Sequence, residues 1–303
     1  MSPSRRATLL LVATTVLWGS SFLTMDWGTR GIALRLGAAA APSAFLFLRF
    51  LASAALQVAI FPSLLRSLSG PVVRAGAILS LPFYAGFLLQ ATGLGSSTST
   101  VVAFLTSLFV VITPLIGRLF FRESVALSTL VGAVVSLGGV YVMTDPSVGL
   151  GRGELLSIAC AVAFAFQIQM TNVITRTHRP EAISLVQFCC AVIYSGITMA
   201  AMGVNPGELI RSMGERHVAW TVLYSASACS VIAMGVLNRF QRDISAARAS
   251  VIYMIEPVIA ALLAALIAGE AMTTRKVVGG AVILLGNLAC DLMGRRASEE
   301  RTA

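Results

Sequence analysis

The chain has 303 residues, of which 57% are hydrophobic and 12% charged, and a formal net charge of +9 from 22 basic and 13 acidic side chains. An ordinary soluble domain carries about 25% charged residues. So few charges cannot clothe a soluble protein of this length, and a mean hydropathy of +0.86 points to lipid as the solvent.

An apolar run of about 20 residues crosses about 30 Å of hydrocarbon. The first uncharged stretch, 7–25, follows Arg5 and Arg6. The small residues that would suit signal cleavage, at 38–41, lie well past it, so the stretch reads as an uncleaved first span. The second span, within 38–65, holds Arg49. Between Arg74 and Arg118 lie 43 uncharged residues, too many for one crossing at 1.5 Å per residue. The small, polar GLGSSTST at 93–100 divides them into a third and a fourth span. Residues 124–144, 155–175, 182–207 and 218–238 give the fifth to eighth, all uncharged. The ninth, within 249–269, carries Glu256, and the short tenth, 277–293, has Asp291 near its end.

Lys and Arg in the connections favour the cytoplasmic side. With the N-terminus inside, fourteen fall on inner segments and seven, including Arg30 and Arg35, on outer ones. Both termini are therefore expected in the cytoplasm. The positive charge suits anionic lipid head groups. No basic patch interleaved with aromatic residues indicates nucleic acid. All five cysteines fall inside predicted spans, which argues against a disulfide framework.

The sequence repeats itself. An offset of 147 places Glu123 on Glu270, Gly132 on Gly279 and Gly139 on Gly286, and aligns the small-residue stretches 96–107 and 243–254. An offset of 146 places Trp18 on Phe164, Ser21 on Gln167 and Arg30 on Arg176. The halves are residues 1–147 and 148–303, with five spans each. Five is odd, so the second copy enters from the opposite side. The expected fold is an all-α membrane protein, ten transmembrane helices as two inverted five-helix repeats, a transporter architecture with its site between the repeats near the midplane.

The residues also resemble a known family, the EamA-type transporters of the drug/metabolite transporter superfamily. IEPVIAALLAALIAGE at 255–270 is similar to the family's ninth span, and VVGGAVILLGN at 277–287 to its glycine-marked tenth. WGSSF at 18–22, FLRF at 47–50 and FLTSLFVVITPLIGRLFFRE at 104–123 resemble the first, second and fourth. The likeness runs from about residue 8 to 292. It implies inverted five-helix repeats, a central pathway and export or exchange of small metabolites, and leaves the metabolite open. One departure is that Pro114 lies nine residues before Glu123 whereas Pro257 lies thirteen before Glu270, so the kinks sit at different depths.

Candidate substrate-binding residues follow from charge and helical spacing. Arg49 is the one basic residue well inside a span, a position that costs about 2.5–3.5 kcal/mol on insertion scales and usually faces a bundle interior or cavity. It suits an anionic group on a solute, or it ties helices together with Glu256 as a partner. Glu256 precedes Pro257, whose ring interrupts the helical ladder. It suits a cationic group or a proton, or it caps the broken turn. Glu123 and Glu270, at helix ends beside Arg122 and Arg275, read as interfacial.

Thr14, Trp18, Ser21 and Met25 share one face of the first span, and Cys160, Phe164, Gln167 and Thr171 the matching face of the sixth. Such a mix of aromatic and polar groups suits an amphipathic or cationic solute, and equally packs helices together. Tyr84, Phe87 and Gln90 on the third span, Thr106 and Thr113 on the fourth, and Asn238 and Tyr253 in the second half complete the set.

No phosphate-binding G-x-x-x-x-G-K-[ST] run or metal-ligand spacing is present, and His178 and His217 fall in loops. No cofactor is expected, and the partners expected are a small-molecule substrate and the bilayer, with monomer or dimer left open. The expected function is a secondary transporter moving a small organic metabolite by alternating access, by efflux or exchange. The expected location is the inner membrane of a bacterial cell. The alternatives are a flippase for a lipid-like molecule and an intramembrane enzyme.

Overall fold

A computed structural model describes residues 3–121, 127–143, 150–240, 252–253 and 255–302, with side chains from 9 to 289 except at 121–130, 133, 144–149, 238, 241–251 and 254. The described residues are helical, with no strand among them. In chain order, α1 is Pro3–Leu36, α2 Ala41–Ile60, α3 Gly70–Leu94, α4 Ser99–Thr106, α5 Phe109–Phe121, α6 Leu127–Met143 and α7 Arg152–Ile174. Then come α8 Pro180–Ala201, α9 Pro206–Ser212, α10 Arg216–Tyr224, a π-helical segment Ser225–Ile232, α11 Ala233–Phe240, α12 Ile255–Ala268 and α13 Thr274–Thr302. Among the described residues, seven segments are long and apolar enough to cross a membrane, Ser99–Phe120 and Arg216–Leu237 being composite ones. Apolar stretches of α6 and α12 are shorter.

Local chemistry sets these boundaries. Proline occupies the first turn of α2, α3, α8 and α9, where a missing N–H costs nothing. Gly37, at φ 79°, closes α1 in a conformation that side-chain-bearing residues avoid. At the end of α12 Gly269 is likewise left-handed, and Glu270 N–H reaches back to Ala264 C=O at 3.0 Å. Glu270 then clasps its surroundings: its carboxylate accepts from Lys276 Nζ at 2.9 Å and from Thr100 N–H at 3.4 Å.

Two predicted features come out differently. The first span does not stop at the charges: α1 continues through Asp26, Arg30 and Arg35, so these arginines ride on a helix rather than in a connection. The Asp26–Arg30 ion pair, 2.8 Å at i,i+4 spacing, and the Arg35–Glu215 pair at 3.0 Å make that extension tolerable. The fourth span is broken at Ser107–Leu108, upstream of Pro114. Pro114 cannot donate to the Val110 carbonyl. The Ser107 hydroxyl also donates to Phe104 C=O at 2.6 Å, a back-bond that bends helices. Glu123 lies outside the described residues.

Helix packing brings the repeat-related glycines together. A Cβ added to Gly139 on α6 would lie 2.7 Å from the carbonyl oxygen of Gly279 on α13, and one added to Gly286 would lie 2.8 Å from that of Gly132. Rising numbers on α6 meet falling numbers on α13, so the two helices run antiparallel here. An offset of 147 turns Gly132 into Gly279 and Gly139 into Gly286, so exchanging the helices maps the contact onto itself. Gly76 and Gly86 likewise let α3 approach Val186 and Phe164. Inside, Phe50, Phe83, Phe87 and Phe188 form an aromatic cluster with centroids 5.0–6.2 Å apart. The four described cysteines are free.

Candidate functional site

Between α1, α3, α4, α5, α7, α11 and α12 lies a cavity of about 70 Å³. Nine of the thirteen candidate residues line it: Trp18, Ser21, Phe87, Gln90, Thr106, Phe164, Gln167, Tyr253 and Glu256. Packing fixes the aromatic walls. Trp18 stands 5.9 Å from Tyr253 at 60°, and Phe87 meets Phe164 edge-on at 5.3 Å. Gly86, lacking a Cβ, admits the Phe164 ring against α3. The Trp18 indole N–H donates to Cys229 C=O at 3.0 Å. That carbonyl belongs to the π-helical segment, whose altered ladder leaves main-chain oxygens open to neighbours. Ala226 C=O in the same segment accepts from Ser53 at 3.4 Å.

The polar groups of the lining are few and spread out. Ser21, Gln90, Thr106 and Gln167 are buried, and the Thr106 hydroxyl reaches Cys160 Sγ at 3.8 Å. Glu256, partly buried at the start of α12, has no hydrogen bond or ion pair with another described residue. Gly19 lets α1 come close to the Glu256 carbonyl and Ile259, which sets the carboxylate at the cavity wall. A carboxylate, two amides and aromatic rings around one small volume can hold an amphipathic organic molecule and orient its polar end.

Three candidates lie elsewhere. Arg49 is fully buried but stands behind the lining, its guanidinium 4.6 Å from the centre of the Phe87 ring and 5.5 Å from that of Phe50. Its Nε–H donates to Ser230 Oγ at 2.9 Å. An Arg49–Glu256 pair, the partner suggested by one of the two readings of Arg49, is absent among the described residues, and Phe87 both lies against the guanidinium and lines the cavity. Tyr84 faces α8, with its ring 5.5 Å from Tyr194 and its hydroxyl 3.4 Å from that of Thr198. Thr113 is spent on the helix around Pro114: its hydroxyl donates to Phe109 C=O at 2.6 Å, and its own carbonyl accepts from Gln169 at 3.2 Å. The Asn238 side chain lies outside the described residues.

The candidate set lacks five lining residues: Phe109, Ile168, Thr171, Met234 and Leu237. Thr171 stands on the sixth-span face already singled out. For three others the signal was present in the repeat. An offset of 147 carries Phe87 to Met234, Gln90 to Leu237, Thr106 to Tyr253 and Phe109 to Glu256, while 146 carries Trp18 to Phe164 and Ser21 to Gln167. All six pairs line the one cavity. Ile168 has no such mark.

The helices define an integral, multi-pass membrane protein with an internal compartment, and comparison with known proteins says of what kind. The EamA-like transporter family is matched twice, over residues 5–145 and 151–289. An uncharacterized transporter of Archaeoglobus fulgidus is 26% identical over 286 residues, covering 94% of this chain and 86% of its own. A second from the same organism is 24% identical over 284 residues, covering 92% and 96%. A solved crystal structure shares the fold, with a TM-score of 0.66 at 18% identity over 97% of this chain and 99% of its own. The chain belongs to the EamA-like transporter family, and it is a membrane transporter.

Proposed function

We propose that this protein is a secondary transporter that carries a small organic solute across the inner membrane of a bacterial cell by alternating access, in efflux or exchange. Ten crossing helices form two inverted five-helix repeats, residues 1–147 and 148–303, with both termini cytoplasmic. The observation that carries this reading is the pairing in the cavity lining: six repeat-related pairs surround one volume, as expected where two copies of a module face each other across a pseudo-two-fold axis. The reciprocal glycine contact between α6 and α13 supports the same axis. Rocking one repeat against the other then opens the cavity to each side in turn. Substrate-binding roles fall to Trp18, Ser21, Phe87, Gln90, Thr106, Phe164, Gln167, Tyr253 and Glu256, to which the cavity adds Phe109 and Thr171.

The test is flux of a panel of organic amines, acids and neutral solutes into proteoliposomes. Saturable, protein-dependent uptake of one class, lowered at least tenfold by Glu256→Gln with the protein still folded, is the expected result. Uptake of none of them, or uptake indifferent to both Glu256→Gln and Trp18→Ala, overturns it.

A further inference from the structure

We propose that Arg49 is a concealed oxyanion-binding pole of this site, and that the solute carried bears a carboxylate or similar compact anionic group which Arg49 receives when Phe87 moves aside. The inference rests on the cavity being the transport site. It starts from the donors of one side chain. A guanidinium has five N–H groups in a rigid fork and stays charged. In Arg49 the Nε–H is satisfied by Ser230, but Nη1 and Nη2 have no hydrogen-bond partner although both are fully buried. No carboxylate pairs with it among the described residues. An unpaired charge away from water is costly, so the fold retains a group whose partner is missing from this state.

The surroundings say what kind of partner is missing and from where it arrives. Phe87 and Phe50 rest against the guanidinium, which steadies the cation but offers nothing to N–H donors along its edge. Nearby carbonyls of the π-helical segment are engaged: Ala226 by Ser53 and Cys229 by Trp18. The edge that is left suits two parallel hydrogen bonds to a carboxylate or phosphate. Phe87 is at once the cover of Arg49 and a wall of the cavity, so a change in this one ring joins the guanidinium to the compartment. Glu256 is then left for a donor or cationic group elsewhere on the same solute.

The experiment compares three probes with a common aromatic body, phenylacetate, phenethylamine and 2-phenylethanol, by thermal stabilisation of the detergent-purified protein, alongside flux of each in proteoliposomes. Phenylacetate is expected to bind at least tenfold more tightly than 2-phenylethanol. Arg49→Gln removes that preference, Arg49→Lys keeps part of it, and Phe87→Leu strengthens it by removing the cover. Wild-type protein alone decides the matter if Arg49→Gln does not fold. Phenylacetate binding no tighter than the alcohol, or none at all, overturns the proposal, as does a preference unchanged in Arg49→Gln. If phenethylamine or the alcohol is still transported in that case, the transport reading stands while the anion pole falls. Absence of flux for every solute fails both.

Discussion

Ser136 and Ile283 are 147 residues apart and meet at the crossing of α6 and α13, where the serine hydroxyl donates to the isoleucine carbonyl at 3.4 Å. They are the same position in the two copies of the repeat, and each touches its own counterpart. Such self-contact is what the proposed two-fold axis between the repeats requires. Asn287 completes the junction, its Oδ1 3.2 Å from the Ser136 hydroxyl and its Nδ2 3.4 Å from Ser107 C=O, so the seam is polar at its centre and closed by glycine on either side.

That seam gives a sharp contrast between adjacent residues. A methyl group on Gly139 meets main-chain atoms of α13 at 2.7 Å, whereas one on Gly138 meets nothing within 4 Å. Gly139→Ala is expected to destabilise the protein by about 1–3 kcal/mol, the usual cost of overpacking, and Gly138→Ala to leave it unchanged or slightly more stable. Thermal melting in detergent separates the two. Equal melting temperatures would mean that the helices are not in contact there.

Trp18 fastens α1 to the π-helical segment. Trp18→Phe keeps a ring opposite Tyr253 but loses the bond to Cys229 C=O, and should cost about 0.5–1.5 kcal/mol in the melting transition. A stability unchanged from wild type would remove this hydrogen bond from the forces that hold α1 against the segment.

Glu270 supplies a dependence on acidity. Burial works against its charged form, but hydrogen bonds from Lys276, Thr98 and Thr100 outweigh it and hold the carboxyl below the ordinary glutamate value. A carboxyl depressed in the folded state adds stability that is fully present above the unfolded value, about 4.3, and is lost as pH falls through the folded one. Melting temperatures of wild type and Glu270→Gln should therefore differ at neutral pH and converge in acid below that range. A gap that persists or widens on acidification contradicts the assignment.

Inversion of the repeats is tested by accessibility. Ser67 and Gly214 are related by the offset of 147 and lie outside the long apolar helices. Single cysteines at these two positions, in a background without native cysteines, are expected to react with a membrane-impermeant maleimide from opposite faces of the membrane. Labelling of both from one face would mean that the halves run parallel.

Much of the scaffold was legible because lipid demands long uncharged runs, and these are visible in any sequence. The division between α3 and α4 came from GLGSSTST in the same way. The extension of α1 past Met25 was not, since it depends on ion pairs to Asp26 and Glu215 that only three-dimensional proximity supplies. Nothing in SASACSVI distinguishes a π-helical turn from an α-helical one. Most of the cavity was found through aromatic and polar residues at helical spacing. Met234, Leu237 and Ile168 were missed because such side chains fill every lipid-facing surface as well. Arg49 was visible as a charge in an apolar run, but its place behind Phe87 depends on how α2 and α3 pack.

The cavity is built from matched positions that no longer carry matched residues: Phe109 stands where its copy is Glu256, and Gln90 where its copy is Leu237. Two identical halves would grip a cargo equally well from either leaflet. Here the one acidic contact among the described lining residues and one of the amides belong to opposite copies, so the two open forms of the proposed alternating-access cycle would present different chemistry to the same molecule. On that proposal, side chains alone would be enough to give two like halves a preferred direction.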